Sequence, residues 1–141
     1  MRNPEESLGY LLIQIGKQRR TKSNALLADT KIHAGQDMLL YYLGLEDGQT
    51  ISALAEKMAV QPATVSTMVD RMVATGYLEK IKGTIDKRRA RIFITDKGRE
   101  AFNVVADAWN EVENQTTKGL SVIEKFMLKR LLDRVLTNLN Q

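Results

Sequence analysis

Apolar residues recur with helical spacing near the start of the chain. Four of them follow the i, i+3, i+4, i+7 pattern that places side chains on one helix face: Leu8, Leu11, Leu12 and Ile15. Pro4 stands just before this stretch, where it suits the start of a helix. The pattern predicts a first long helix over about residues 5–29.

Three shorter helices are predicted in the middle of the chain. The first carries the apolar residues of 38–45, and the others cover about residues 51–59 and 62–75. Pro62 suits the first position of the third helix, and Gly76 suits the left-handed residue that follows its end. Because only two residues separate the last two helices, they must be joined by a tight turn.

The helix over residues 62–75 has two contrasting faces. Its inward stripe has the spacing of a buried helix face: Val65, Met68, Val69 and Met72. The opposite face carries short polar side chains and lacks the Glu/Lys ladder that usually solubilises an exposed helix. A face of this kind fits into a DNA major groove, which is about 12 Å wide, and reaches base edges there.

The apolar period changes to two after Gly76. Residues 77–81 and 90–95 predict two strands, with Ile92 and Ile94 facing the core. The segment between them is charged and longer than a two-residue turn, so the tip of the hairpin must project.

Two further helices close the chain. Thr95 is the predicted N-cap of the first, and Ser121 with Glu124 predicts a capping box for the second. The apolar surface of the last helix is wider than one stripe. A domain of this size cannot cover that surface from within, so the pattern favours helix pairing with a second chain.

Composition narrows the function class. The 141 residues fit one compact domain, and the absence of cysteine excludes disulfides, thiolate zinc sites, iron–sulfur clusters and cysteine-based redox sensing. No apolar run approaches the roughly 20 residues of a membrane span, which predicts a cytoplasmic protein without membrane contact. One histidine, scattered carboxylates and no Gly-rich phosphate loop predict no enzyme, no metal site and no cofactor.

Positive charge is concentrated in one part of the chain. Between Lys80 and Arg99 lie eight basic residues and only two acidic ones, whereas the formal net charge of the whole chain is +4. This block indicates a local contact with a polyanion. A solvated loop rich in Lys and Arg is the alternative interpretation.

Two helices joined by a tight turn and followed by a basic hairpin predict a mainly α fold with a small β-hairpin wing, the winged helix-turn-helix. Such a lobe binds double-stranded DNA with its second helix in the major groove. The candidate DNA-binding residues lie on that helix, at its start and on the hairpin: Gln61, Ala63, Thr64, Ser66, Thr67, Arg71, Lys82, Lys87, Arg88 and Arg89. A winged helix used for protein contact is the alternative, although its binding face would be expected to carry aromatic or Met anchors.

Four short motifs between Ile51 and Phe102 carry a family resemblance: V-D-R-M at 69–72, G-Y-L-E-K at 76–80, D-K-R at 86–88 and I-T-D-K-G at 94–98. With these motifs the chain resembles the MarR family of bacterial transcription regulators. The order and length of the flanking helices agree as well, so the resemblance covers the whole chain.

The resemblance implies one domain, residues 1–141, that forms a homodimer on a pseudo-palindromic operator. Residues 35–98 would form the winged lobe, and residues 5–29 and 99–140 the helical dimerisation region. It also implies that Arg88 enters the minor groove and that Asp86 braces it. Asp70 looks like an intramolecular partner of a wing arginine, with Arg88 as the first choice, and an exposed aspartate without a partner is the alternative.

Family members commonly bind phenolic or other aromatic anions between the dimerisation helices and the winged lobe, which weakens DNA binding. The resemblance therefore implies a repressor that an aromatic anion releases. It carries over this region and not its residues, although five side chains fall near it: Arg19, Arg20, His33, Tyr41 and Tyr42. Each has a structural explanation as well: His33 suits a helix start, and at most one of the adjacent tyrosines is expected to face the core.

Overall fold

The computed structural model describes residues 3–33, 35–83 and 89–141. Within them the chain forms six α-helices: α1 Leu8–Leu26, α2 Gln36–Leu45, α3 Ile51–Met58, α4 Pro62–Ala74, α5 Asp96–Thr116 and α6 Val122–Leu139. Three short strands complete the fold: β1 Gln49–Thr50, β2 Leu78–Ile81 and β3 Arg91–Ile94. The predicted fold class, mainly α with a small β wing, is confirmed.

Side-chain caps set the starts of four helices. Two of the caps, Thr95 on α5 and Ser121 on α6, are the predicted ones. Ser7 caps α1 and Thr50 caps α3 in the same way, by accepting a hydrogen bond from an N–H of the first turn. In the capping box of α6, the Ser121 backbone N–H and then its hydroxyl hold the pKa of Glu124 below its ordinary value.

The core lies where α2, α3 and α4 meet the sheet. The predicted inward stripe of α4 is buried at Val65, Val69 and Met72, and Met68 is half-buried against the same core. The expectation that at most one of Tyr41 and Tyr42 faces the core is wrong. Both are half-buried and pack against it, because α3, α5 and β3 all contact α2 and so enclose it on more than one side.

The sheet contains a strand that the sequence pattern does not reveal. β1 pairs antiparallel with β3, which makes the order β1-β3-β2, with Gln49 opposite Ile92 and Thr50 opposite Arg91. Two residues are too few to show a period of two. The buried Gln49 amide donates hydrogen bonds to the carbonyl oxygens of Tyr42 and Glu46, so it ties this strand to the end of α2.

Gly98 lets the first turn of α5 lie directly against the start of β2. A Cβ at this position would overlap the carbonyl oxygen of Tyr77 and would lie 2.7 Å from Ile94 Cγ1. The Thr95 hydroxyl, which caps α5, also donates to the carbonyl oxygens of Gly76 and Tyr77. The junction between the wing and α5 therefore has no room for a side chain at residue 98.

We expect Gly98→Ala to lower the free energy of unfolding by about 1–3 kcal/mol, because the obstructing atom belongs to the backbone and cannot rotate away. Chemical denaturation measures the change. Glu100→Ala, at an exposed position two residues along α5, is the control and should stay within about 0.5 kcal/mol of the parent. Equal unfolding free energies for the two variants would contradict the close packing of Gly98.

Candidate nucleic-acid interface

The predicted DNA-binding residues of α4 lie on one outward side of the molecule. Five of them are exposed: Gln61, Ala63, Thr64, Thr67 and Arg71. Ser66 is half-buried, so it is the least accessible member of the predicted set. Gln61 is the N-cap residue and Pro62 the first residue of α4, so the helix presents its N-terminal turn at this surface. The inward stripe fixes this orientation because it is held in the core.

The hydroxyl of Thr67 is partly engaged within α4. Its Oγ1 donates to the carbonyl oxygen of Ala63 at 3.0 Å. This bond uses the only hydroxyl proton and leaves the oxygen lone pairs and the methyl group for a base edge. The side chain is therefore suited to accept a hydrogen bond or to contact a thymine methyl.

Asp70 has a cationic partner on the neighbouring strand. Lys80 Nζ lies 3.9 Å from Asp70 Oδ1, and the aspartate side chain is 66% exposed, so the pair is long and solvated. Lys80 is not among the predicted partners. Arg88 and Asp86, on which the bracing prediction depends, lie outside the described residues, as does the predicted DNA contact Lys87.

Two predicted wing residues, Lys82 and Arg89, lie at the base of the hairpin. Both are exposed, and both line a cavity of about 480 Å³ between the wing and the start of α3. We call this the wing-base cavity. Lys80 and Arg91 also line it, so the basic surface extends further toward α3 than the predicted DNA-binding residues do.

A second surface is apolar and lies on α1 and α6. The face of α1 that the sequence pattern marks as apolar is exposed, with Leu8 75% and Leu11 53% accessible. None of the residues of α6 is buried. Side chains of α1, α5 and α6 line a groove of about 570 Å³ between them. Apolar surface on this scale marks a site of protein association.

Comparison with known proteins identifies the family. The family model described as the MarR family matches residues 32–90, which include α2 to α4 and strand β2. The HTH-type transcriptional regulator BilQ of Clostridioides difficile is 25% identical over 127 residues, which covers 89% of this chain and 86% of BilQ. The matched domain, residues 32–90, belongs to the MarR family. The chain is thus a DNA-binding transcriptional regulator and not an enzyme, as the sequence predicts.

Solved structures show the same fold as this chain. Staphylococcus aureus MepR in complex with DNA superposes with a TM-score of 0.87 at 23% identity, covering 97% of this chain and 99% of MepR. BpsR of Bordetella bronchiseptica, whose DNA binding is regulated by 6-hydroxynicotinic acid, gives a TM-score of 0.84 at 21% identity, covering 96% of each chain.

Across the described ranges 3–33, 35–83 and 89–141, no helix has both the length and the apolar character that crossing a bilayer requires.

A buried carboxylate on α2 links this helix to both α1 and α5. The Asp37 side chain, at the start of α2, is only 2% exposed. Its carboxylate accepts hydrogen bonds from Arg20 Nη1 of α1 at 3.0 Å and from Trp109 Nε1 of α5 at 3.2 Å. We call these three residues the Asp37 hub. The sequence does not reveal it, because an acidic residue in the first turn of a helix is ordinarily solvated and only the packing of α1 and α5 buries this one.

The residues near the family's ligand region are engaged in contacts within the chain. Arg19 donates to Glu113 and Thr116 of α5, while Arg20 is part of the Asp37 hub. The Tyr41 ring lies 4.5 Å from that of Trp109, centroid to centroid. His33 is exposed and its backbone N–H donates to Gln36 Oε1, as suits a residue before a helix start.

We expect Asp37→Ala to lower the free energy of unfolding by about 2–3 kcal/mol. The substitution leaves the N–H of the half-buried Trp109 without an acceptor and Arg20 without its counter-ion, and the exposure of Arg20 keeps the loss below that of a fully buried pair. Glu46→Ala is the control, because it removes a carboxylate from the exposed pair with Lys57 and should cost less than about 1 kcal/mol. Equal losses in denaturant unfolding would show that the Asp37 hub is no more than a surface ion pair.

Proposed function

We propose that the protein is a homodimeric repressor that occludes a promoter by binding a pseudo-palindromic operator in the bacterial cytoplasm. The observation that carries the proposal is the exposed short polar face of α4 beside a basic wing base. In this arrangement the first turns of α4 enter the major groove, and Gln61, Ala63, Thr64, Ser66, Thr67 and Arg71 contact bases or phosphates. Arg88 enters the minor groove with Asp86 bracing it, while Lys82, Lys87 and Arg89 follow phosphates.

The apolar surfaces of α1 and α6 support the dimer. We assign residues 5–29 and 99–140 to the dimerisation region and residues 35–98 to the winged lobe. Pairing of these helices with a second copy covers the side chains that the chain leaves exposed. Two lobes held in this way place their α4 helices in successive major grooves, about 10 bp apart.

A small aromatic anion is the proposed releasing ligand. BpsR supplies the precedent, since 6-hydroxynicotinic acid is an aromatic carboxylic acid. In this chain Arg20, Tyr41 and Trp109 lie together where α1, α2 and α5 meet, so a cation and two aromatic rings adjoin one another. A ligand carboxylate at Arg20 would compete with Asp37 and loosen the link between the dimerisation helices and the lobe.

In vitro selection of random duplexes by the purified protein tests the function, followed by fluorescence anisotropy at 50 and 200 mM salt. The proposal predicts an enriched palindrome, bound by a dimer, with affinity falling by orders of magnitude between these conditions. Addition of aromatic carboxylic acids should then release the probe. The absence of binding even at low salt would contradict DNA recognition and would favour the protein-contact alternative.

Substitutions at Thr67 separate its methyl group from its hydroxyl. We expect Thr67→Val to keep the preference for the contacted base and Thr67→Ser to lose it, because the hydroxyl proton is engaged by Ala63 and the methyl group remains for a thymine. The measurement is the ratio of affinities for the operator and for a single base-pair variant, and the expected change is about tenfold. Arg88→Ala is the comparison and should weaken binding to all sequences alike. The opposite order for Val and Ser would assign base contact to the hydroxyl.

Two substitutions on α6 test the proposed dimer interface. Leu132→Glu places a charge in the apolar groove, so we expect the dimer dissociation constant to rise at least about 100-fold. Sedimentation velocity over a concentration series measures this constant. Asn138→Glu, at an exposed polar position of the same helix, is the control and should remain dimeric. A Leu132→Glu dimer as tight as that of the control would place the dimer interface elsewhere.

A further inference from the structure

The wing-base cavity has a basic lining, and only two of its residues, Lys82 and Arg89, are among the predicted DNA contacts. Its lining combines the start of α3 with the two sides of the wing: Thr50, Ile51, Ser52, Lys80, Lys82, Arg89, Ala90 and Arg91. Four of these eight residues are basic and none is acidic. A cavity of this composition is selective for anions.

The strand register builds the cavity. Thr50 of β1 is paired with Arg91 of β3, and α3 begins at the next residue, so the first turn of α3 is held beside the wing. Lys80 lies on β2, on the other side of β3, and Lys82 follows just beyond the end of that strand. Residues far apart along the chain thus line one concave surface at fixed positions.

Among the described residues, the positive charges of Lys80 and Arg91 are only weakly compensated. Arg91 Nη1 donates to a backbone carbonyl oxygen, that of Gly48, at 2.9 Å, which holds the side chain without cancelling its charge. The carboxylate beside Lys80 is that of Asp70, at 3.9 Å and largely in solvent. An incoming anion therefore meets the positive charges of Lys80 and Arg91, and the exposed Ser52 hydroxyl offers it a neutral donor.

The cavity adjoins the exposed face of α4. The contact between Lys80 and Asp70 joins one wall of the cavity to that helix, so the two surfaces are continuous. A duplex with α4 in its major groove has a sugar–phosphate strand at the edge of that groove, on the side of the wing. The anion closest to the cavity would then be a phosphate of this strand.

We propose that the wing-base cavity binds one backbone phosphate in each operator half-site, with Lys80 and Ser52 as contacts in addition to Lys82 and Arg89. This inference rests on the proposed DNA-binding function. The contact fixes the register of α4 on the duplex without reading sequence, as phosphate contacts do. Lys80 thus has two neighbours in the complex, the phosphate and Asp70.

A scan of operator probes that carry a single neutral methylphosphonate tests the proposal. At one position in each half-site, the methylphosphonate should weaken binding of the parent protein about tenfold. The same methylphosphonate should not weaken binding of Lys80→Gln any further. The salt slope of Lys80→Gln should also fall by about 0.9 for each phosphate that the variant no longer neutralises. Ser52→Ala should reduce the penalty at the same position. Lys118→Gln, at an exposed position between α5 and α6, is the charge-matched control and should retain the full penalty.

The outcomes separate this inference from the function on which it rests. If the parent protein does not bind unmodified operator DNA, the proposed function itself fails. If the parent binds and every methylphosphonate penalty persists in Lys80→Gln, only the cavity assignment is overturned.

Asp70→Asn tests whether Lys80 acts only through its contact with Asp70. The cavity assignment is also overturned if Asp70→Asn abolishes the penalty as Lys80→Gln does. Titration of inorganic phosphate at constant ionic strength, followed by backbone amide NMR shifts at Ser52, distinguishes a free anion. If the Ser52 shifts saturate with phosphate and every methylphosphonate penalty persists in Lys80→Gln, the cavity binds free phosphate and not DNA.

Discussion

A single buried carboxylate, that of Asp37, joins α2 to both α1 and α5 in this regulator. Its side chain is 2% exposed, and a charge removed from water must be compensated by partners of good geometry. Those partners come from two other helices: Arg20 on α1 and Trp109 on α5. Because α2 cannot turn away from either helix without removing a partner of the buried charge, the orientation of α2 is coupled to that of α1 and α5, which belong to the proposed dimerisation region.

This coupling gives a physical basis for the proposed operator binding and for its proposed control by an anion. A dimer can occupy two major grooves only if the separation of its α4 helices is fixed, and in each chain that separation depends on how α2 is held against α1 and α5. Arg20 is 37% exposed, so an anion from solvent can reach it, whereas Asp37 is enclosed. An anion that draws Arg20 away leaves the buried carboxylate with Trp109 alone. The lobe is then less firmly held, and the free energy that favours one spacing is reduced.

The sequence predicts the local features of this fold and misses those that packing creates. Thr95, Ser121 and Gly76 act within one turn of chain, so their roles follow from residue type and spacing, and the inward stripe of α4 follows from helical period. β1 is too short to show a period, and the burial of Asp37 and of both Tyr41 and Tyr42 depends on helices distant in sequence. The candidate site divides in the same way. The exposed face of α4 can be predicted from its polarity, whereas the approach of Lys80 to Asp70 and of Ser52 to the wing arises from strand register.

The most direct test of the coupling is a distance between the two winged lobes of the dimer. The chain contains no cysteine, so Ala74→Cys at the exposed end of α4 introduces one spin-label site per protomer. Double electron–electron resonance on the free dimer should give one narrow distance distribution. Asp37→Asn keeps an acceptor for Trp109 but loses the charge that holds Arg20, so in that background the distribution should broaden while the protein stays dimeric. A distribution equally narrow in both proteins would contradict the account, because the lobes would then be held in place without the Asp37 carboxylate.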